Sequence, residues 1–278
     1  MAISGLSSKD GESRFRLPSD EDDSRPVALL GTDYPDLHPD LKVAVGDQVT
    51  CGQVLFTDRK RPRIAFVSPV SGTVSEVKRG PRRTLSRVVV DTRPEAAAPD
   101  LVPIKVQERT AARDTLLSRG LWPAFRSRPF GHIPDPEAVP EAIFVTAIDT
   151  YADAVDPREA ITRRPGSFQM GVSVLTLLTD GPVFICQAAG ADLPVPPSDQ
   201  ARIARFSGPH PVGLPGHHID RLHPPAQGQT VWTIGCQDVI AIGHLFETGQ
   251  YLPERIVALC CPDDDKPLVV PMTLGARL

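Results

Sequence analysis

The sequence predicts two joined units of different class: an all-β barrel-sandwich, then an α/β domain with a largely parallel sheet. Three observations carry this. Short β-branched runs alternate with glycine turns up to about residue 95, a texture of short strands. From Glu141 onward, strand-like runs alternate with longer helix-like ones, the pattern of a parallel sheet covered by helices. The chain also holds 30 prolines in 278 residues, about twice ordinary usage, which favours short elements and stiff connections.

Residues 1–25 are polar and end in the acidic run Asp20-Glu21-Asp22-Asp23, so they are expected to form a mobile tail. Residues 26–95 form the β unit. Val43-Ala44-Val45, Val54-Leu55-Phe56, Thr73-Val74 and Val88-Val89-Val90 are its strand runs; Gly46-Asp47, Gly52-Gln53 and Ser71-Gly72 are its turns. Residues 96–140 read as a linker carrying a helix near Ala111–Arg119 and the dense run Leu121-Trp122-Pro123-Ala124-Phe125-Arg126-Ser127-Arg128-Pro129-Phe130. Residues 141–262 hold the α/β domain. Its strands are expected at Ala142–Ala147, Val183–Cys186, Thr230–Ile234 and Ile256–Leu259, and its helices at Phe168–Leu178 and Asp238–Thr248. Residues 263–278 read as the start of a further region.

A formal charge of −4 gives no reason to expect nucleic-acid binding. The five cysteines show no C-x-x-C and no metal-ligand spacing, which suits a reduced cytoplasm. No secretory signal is visible at the N-terminus, and the longest uncharged stretch, Pro165–Thr179, is too short to span a bilayer. Basic residues gather at Arg59, Lys60, Arg61 and Arg63 and again at Lys78, Arg79, Arg82, Arg83 and Arg87. Two solvated loops would account for them; an anionic membrane surface is the other reading. Four histidines fall in Ser207–His223, but the intervening glycines and prolines make irregular loop, so hydrogen bonding to backbone is expected rather than a metal site.

After the first α/β strand the chain runs Ile148-Asp149-Thr150-Tyr151-Ala152-Asp153, with no glycine to let backbone approach a dinucleotide's phosphates. Neither a P-loop nor a G-x-S-x-G occurs. No catalytic constellation emerges, and no residue is assigned a catalytic or metal-binding role.

The stretch Val45-Gly46-Asp47-Gln48-Val49-x-x-Gly52-Gln53-Val54-Leu55, with Ser68-Pro69-Val70-Ser71-Gly72-Thr73-Val74, resembles the biotinyl and lipoyl carrier fold. Lys60 occupies the hairpin tip where such carriers present their acceptor lysine. Its neighbours Arg59 and Arg61 are not the small or methionine residues a modifying enzyme recognises, so an unmodified surface lysine is expected.

Six further stretches, in order, are similar to the NqrA family, a subunit family of the sodium-translocating NADH:quinone reductase. They are Ala28-Leu29-Leu30-Gly31; Gly120-Leu121-Trp122 with Arg126-x-Arg128-Pro129-Phe130; Phe144-Val145-Thr146-Ala147-x-Asp149-Thr150; Phe206–Pro211; Val231–Ile234 with Gln237–Gly243; and Glu254–Leu259. The resemblance implies a biotinyl/lipoyl-carrier-like barrel-sandwich hybrid, a Rossmann-like α/β domain, and beyond them a ubiquitin-like and helical part of which this chain would hold only the start. It implies a cofactor-free accessory subunit, not catalytic alone, on the cytoplasmic face of the inner membrane against membrane redox subunits. For the whole complex the resemblance implies NAD, FAD, FMN, riboflavin, a 2Fe–2S cluster and ubiquinone, none of them bound by this chain itself except that ubiquinone could contact it. Related flavin subunits carry a glycine-rich loop where this chain has Leu121–Phe125, and bulky side chains there leave no room for FMN. The family's quinone-proximal stretches fall on Leu30, Tyr34, Leu37, Arg128, Phe130 and His132, with ordinary core packing as the alternative for Leu30 and Phe130. Trp122, Phe125 and Arg126 are expected at a partner interface or in the core. A scaffold or adaptor serving a different, soluble redox partner is the competing functional class.

Overall fold

The computed structural model describes residues 26–81, 84–93, 102–260 and 267–277. The expected acidic tail, Arg82 and Arg83, and most of the linker's proline-rich start lie outside the described residues.

The first unit is a sandwich of two small antiparallel sheets. Strands β1 (Pro26–Leu30), β2 (Pro39–Leu41), β3 (Gln48–Val49), β4 (Val54–Asp58), β5 (Arg61–Val67), β6 (Gly72–Arg79) and β7 (Leu85–Thr92) divide as β1-β7-β6-β3 and β2-β4-β5. Val88 and Val90 alternate inward on β7, whereas β4 and β5 bury consecutive residues, Leu55–Phe56 and Ile64–Val67; with Val49 and Val74 they form the barrel's core. Lys60 sits in the two-residue turn between β4 and β5, as the hairpin grammar requires. Asp58 beneath it is buried, accepts the Lys60 backbone N–H at 3.1 Å and receives Arg61 Nε at 2.8 Å.

The second unit opens with α1 (Arg109–Ser118) and the short strand β8 (Arg126–Arg128). It continues through β9 (Ile143–Ala147), α2 (Pro157–Arg163), α3 (Pro165–Leu177), β10 (Val183–Ala188), β11 (Ala201–Phe206), α4 (Pro215–Leu222), β12 (Val231–Gly235) and α5 (Cys236–Thr248). The sheet order is β11-β10-β9-β12-β8, parallel except for β8. Strand order reverses direction about β9, giving the doubly wound arrangement. Helices α3 and α5 cross in near backbone contact at Gly171 and Gly243: a methyl on Gly243 would stand 1.7 Å from the Ser167 carbonyl oxygen.

Two expectations need correcting. The strand β13 (Glu254–Leu259) does not extend the parallel sheet but pairs antiparallel with β14 (Leu268–Thr273), inside the stretch expected to begin another region. The Gln237 side chain holds the Ile256 backbone at both its N–H (2.7 Å) and its carbonyl (2.9 Å), taking β13 up at the start of α5 instead. The ribbon then returns to the barrel, where Ala28 N–H donates to the Gly275 carbonyl. The second correction concerns Trp122 and Phe125, which are fully buried. Together with Trp232 they form an aromatic triangle with ring centroids 5.3–5.5 Å apart, so these two rings are core and present no free surface.

One hydrophobic core runs through both units. The join is close because Gly120 (φ +73°) ends α1 against the barrel, where a Cβ would lie 2.6 Å from a Val67 methyl. Arg61 Nη1 reaches across to the Ile133 carbonyl at 2.6 Å, and Arg63 pairs with Asp114 and Glu137.

Candidate functional site

The site singled out from sequence is built by two separate segments. The first leaves β1 at Leu30, turns through a 3-10 element over Gly31–Asp33, and passes Tyr34 to Asp36. Asp36 has φ 62°, a left-handed backbone that an Asx residue adopts more readily than most and that here directs its carboxylate outward. The second is the hairpin that starts with β8: Ser127 N–H donates to the His132 carbonyl at 2.8 Å and Gly131 N–H to the Ser127 carbonyl at 2.7 Å. Gly131 supplies the positive φ this turn needs, at 75°.

The structure brings the segments together at Asp36 and His132, whose Oδ2 and Nδ1 stand 2.9 Å apart. His38 Nδ1 also lies 2.9 Å from the Asp36 carbonyl oxygen. Phe130 is 82% exposed at the hairpin tip, its ring 6.3 Å from that of His132. An apolar ring so bare beside an imidazole and a carboxylate is a surface feature that can meet a flat, amphipathic molecule or a partner. Leu30 is exposed at the end of β1, opposite Arg87 in the sheet. Phe130 and Leu30 are therefore surface residues, not core.

Tyr34 and Leu37 differ from that pattern. The Tyr34 ring packs edge-on against Phe66 at 4.7 Å, and burial, with Asp33 nearby, pushes its phenol up to about 12. Leu37 is part of the barrel's packing. Arg128 is half-buried and its guanidinium approaches Gly216 at the start of α4, while Arg126 donates to the carbonyls of Pro123 and Phe125. Sequence reasoning missed Asp36; its signal was an aspartate in a Tyr-Pro-Asp turn, visible only as a turn.

At the other sequence candidates the side chains are engaged locally. At the carboxyl end of β9 the chain's own loop packs against Thr150, whose Oγ1 accepts the Gly213 N–H at 3.1 Å and lies 3.3 Å from His210 Nδ1. His218 is buried with Nε2 2.9 Å from the Val212 carbonyl, and burial depresses its imidazole to about 4. Among the described residues, no group of three or more His, Cys, Asp or Glu could hold a metal ion.

Comparison with known proteins decides the family. Residues 11–93 match the family profile of the NqrA N-terminal barrel-sandwich hybrid domain, and residues 107–251 match that of the NqrA second α/β domain. The chain belongs to the NqrA family. Among its relatives is the NqrA subunit of the Na(+)-translocating NADH-quinone reductase of Pseudomonas aeruginosa PAO1, 46% identical over 258 residues, which are 91% of this chain and 58% of that protein. The corresponding subunit from Saccharophagus degradans is 44% identical over 258 residues, 91% of this chain and 58% of the relative. That of Rhodopirellula baltica is 43% identical over 259 residues, 91% and 57%. The chain thus spans somewhat under three fifths of the length of the NqrA relatives it matches. Its barrel-sandwich and α/β architecture is that of the two NqrA domains, as the sequence led us to expect.

Proposed function

We propose that this chain supplies the barrel and Rossmann-like part of an accessory subunit of a sodium-translocating NADH:quinone oxidoreductase, contributing to its quinone-side assembly. The observation that carries the reading is the meeting of Asp36 with His132, since it joins the two stretches that family resemblance marks as quinone-proximal. Phe130 and Leu30 would offer apolar contact, and His132, Asp36 and Arg128 polar points, which is the mix a quinone head and tail require. Tyr34 and Leu37 would support this surface from behind, through packing. Arg126, whose guanidinium caps the turn carbonyls, would shape the hairpin and so the partner-facing side.

The chain's part is positioning and covering, with electron transfer left to flavin and iron–sulfur groups in membrane redox subunits. NAD, FAD, FMN, riboflavin and the 2Fe–2S cluster would all reside there. The protein would sit on the cytoplasmic face, peripheral to the inner membrane; no helix among the described residues is long and apolar enough to cross one. The test is photolabelling of the complex in native membranes with an azido-quinone. Label on the 30–37 and 128–132 segments, reduced by Phe130→Ala, supports the reading. Recovery of the chain with a soluble partner and no membrane flavoprotein overturns it.

A further inference from the structure

Away from the Asp36–His132 surface, a cleft of about 1140 Å³ opens where the barrel meets the α/β domain, somewhat larger than the usual small-molecule site. Its shape follows from two left-handed glycines. Gly52, in the turn between β3 and β4, has φ 81°, and a Cβ there would lie in ordinary contact, 3.4 Å, with the Cβ of Tyr251. Gly249 ends α5 with φ 78° and lets the chain at Val102 pass close by, where Val102 N–H and Ile104 N–H take the carbonyls of Thr248 and Phe246 at the helix end. Arg93 and Val102, the described ends of the connection between the units, both line the cleft.

The lining has a definite chemistry. Val70, Ile104 and Leu252 make apolar walls, and Arg93, Arg119 and His244 face the same space. The described lining residues include no aspartate or glutamate. Arg93 is held by Gln48 at 3.4 Å. The side chains of Arg119, His244 and Tyr251, by contrast, have no hydrogen-bond partner among the described residues, and all three residues line this cleft. Guanidinium and phenol groups without hydrogen-bond partners, converging on a part-apolar cavity whose described lining holds no acid, are complementary to an anion with an apolar body.

We infer that this cleft binds a small amphipathic anion, a carboxylate or phosphate on a ring or short chain, with Arg119 as its charge anchor and the Val70–Leu252 walls against its apolar part. The inference does not rest on the quinone-side reading. A fatty acid released from lipid and a soluble organic acid share this chemistry.

The probe is 8-anilinonaphthalene-1-sulfonate, titrated into the full chain and then competed. One saturable site is expected, displaced by decanoate and not by decanol. Arg119→Ala should weaken the probe by about tenfold or more, the worth of one charged hydrogen bond, and Arg119→Lys by less. Val70→Trp, which fills the cleft from the barrel side, should abolish it. Thermal melting of each variant checks the fold; should Val70→Trp fail to fold, Leu252→Phe serves instead. Displacement by decanoate but not by benzoate assigns a fatty acid, and displacement by benzoate at comparable concentration assigns a soluble organic acid. Absence of saturable binding, equal displacement by decanol, or unchanged affinity in folded Arg119→Ala overturns the inference.

Discussion

The carboxylate of Asp36 lies 2.9 Å from Nδ1 of His132, joining a turn of the barrel to a hairpin at the edge of the α/β sheet. Both side chains are more than half exposed, so the contact orients groups at a surface and adds little to folding, at most about 1 kcal/mol. Asp36→Asn and His132→Ala should each move the melting temperature by less than about 4 °C. A larger loss, measured by calorimetry, would make the pair a structural clamp.

Phe130 and Trp122 lie on the same aromatic run but should respond oppositely to truncation. Phe130 is bare at the hairpin tip, whereas Trp122 is fully enclosed and donates Nε1–H to the Pro134 carbonyl at 3.0 Å. Phe130→Ala should leave stability within about 0.5 kcal/mol of the parent. Trp122→Ala should cost about 3–5 kcal/mol, by denaturant unfolding. Equal effects would contradict the burial described.

These two residues also show what the sequence could and could not tell. The barrel was legible because alternating valines and turn glycines each admit few structures, and the α/β unit because its apolar runs have distinct lengths and spacing. The side on which Trp122 and Phe125 lie was not, since aromatics beside arginines are common both in cores and at interfaces. Neither was the destination of Ile256–Leu259: a strand's pattern does not name its neighbour, and the Gln237 amide that claims Ile256 is an ordinary polar residue in a helix's first turn. The contact between Asp36 and His132 depends on how two units dock, which local pattern does not encode.

The crossing of α3 and α5 should be the fold's least tolerant point to added volume. Gly243→Ala would force its methyl onto the Ser167 carbonyl and the Gly171 N–H, both backbone, so the helices must separate. Overpacking of this kind costs about 1–3 kcal/mol or more, despite alanine's better helix propensity. An unchanged or raised urea midpoint would refute the close crossing.

His218 should make stability fall on mild acidification. Its imidazole is depressed to about 4 by burial, while the unfolded chain's ordinary value is about 6.5. Between those values the unfolded state binds the proton and the folded state does not, so stability present above about pH 6.5 declines toward pH 4 and levels off below. The loss is on the order of 3 kcal/mol. His218→Gln keeps a donor for the Val212 carbonyl and removes the titration, so the difference between parent and variant in melting temperature should vary with pH across this window. A constant difference would show that the imidazole does not titrate in folding.

The β4–β5 hairpin tip separates two neighbouring basic residues that read alike in sequence. Lys60 stands in the turn where a carrier would be modified, and its side chain has no hydrogen bond or ion pair among the described residues. Arg61 is different: its guanidinium neutralises Asp58, whose carboxylate is almost wholly buried, and also reaches the Ile133 carbonyl of the second unit. Lys60→Ala should therefore be neutral within about 0.5 kcal/mol. Arg61→Ala leaves a buried carboxylate with the Lys60 backbone N–H as its remaining donor among the described residues and unties the two units, which should cost about 3–5 kcal/mol. Removing the charge with Asp58→Asn in the Arg61→Ala background should recover part of that loss, because the uncompensated charge is its main source. Intact mass on the same preparations tests Lys60 directly: the parent should carry no added group, and a lipoyl- or biotinyl-sized increment on Lys60 would show that the barrel works as a carrier after all.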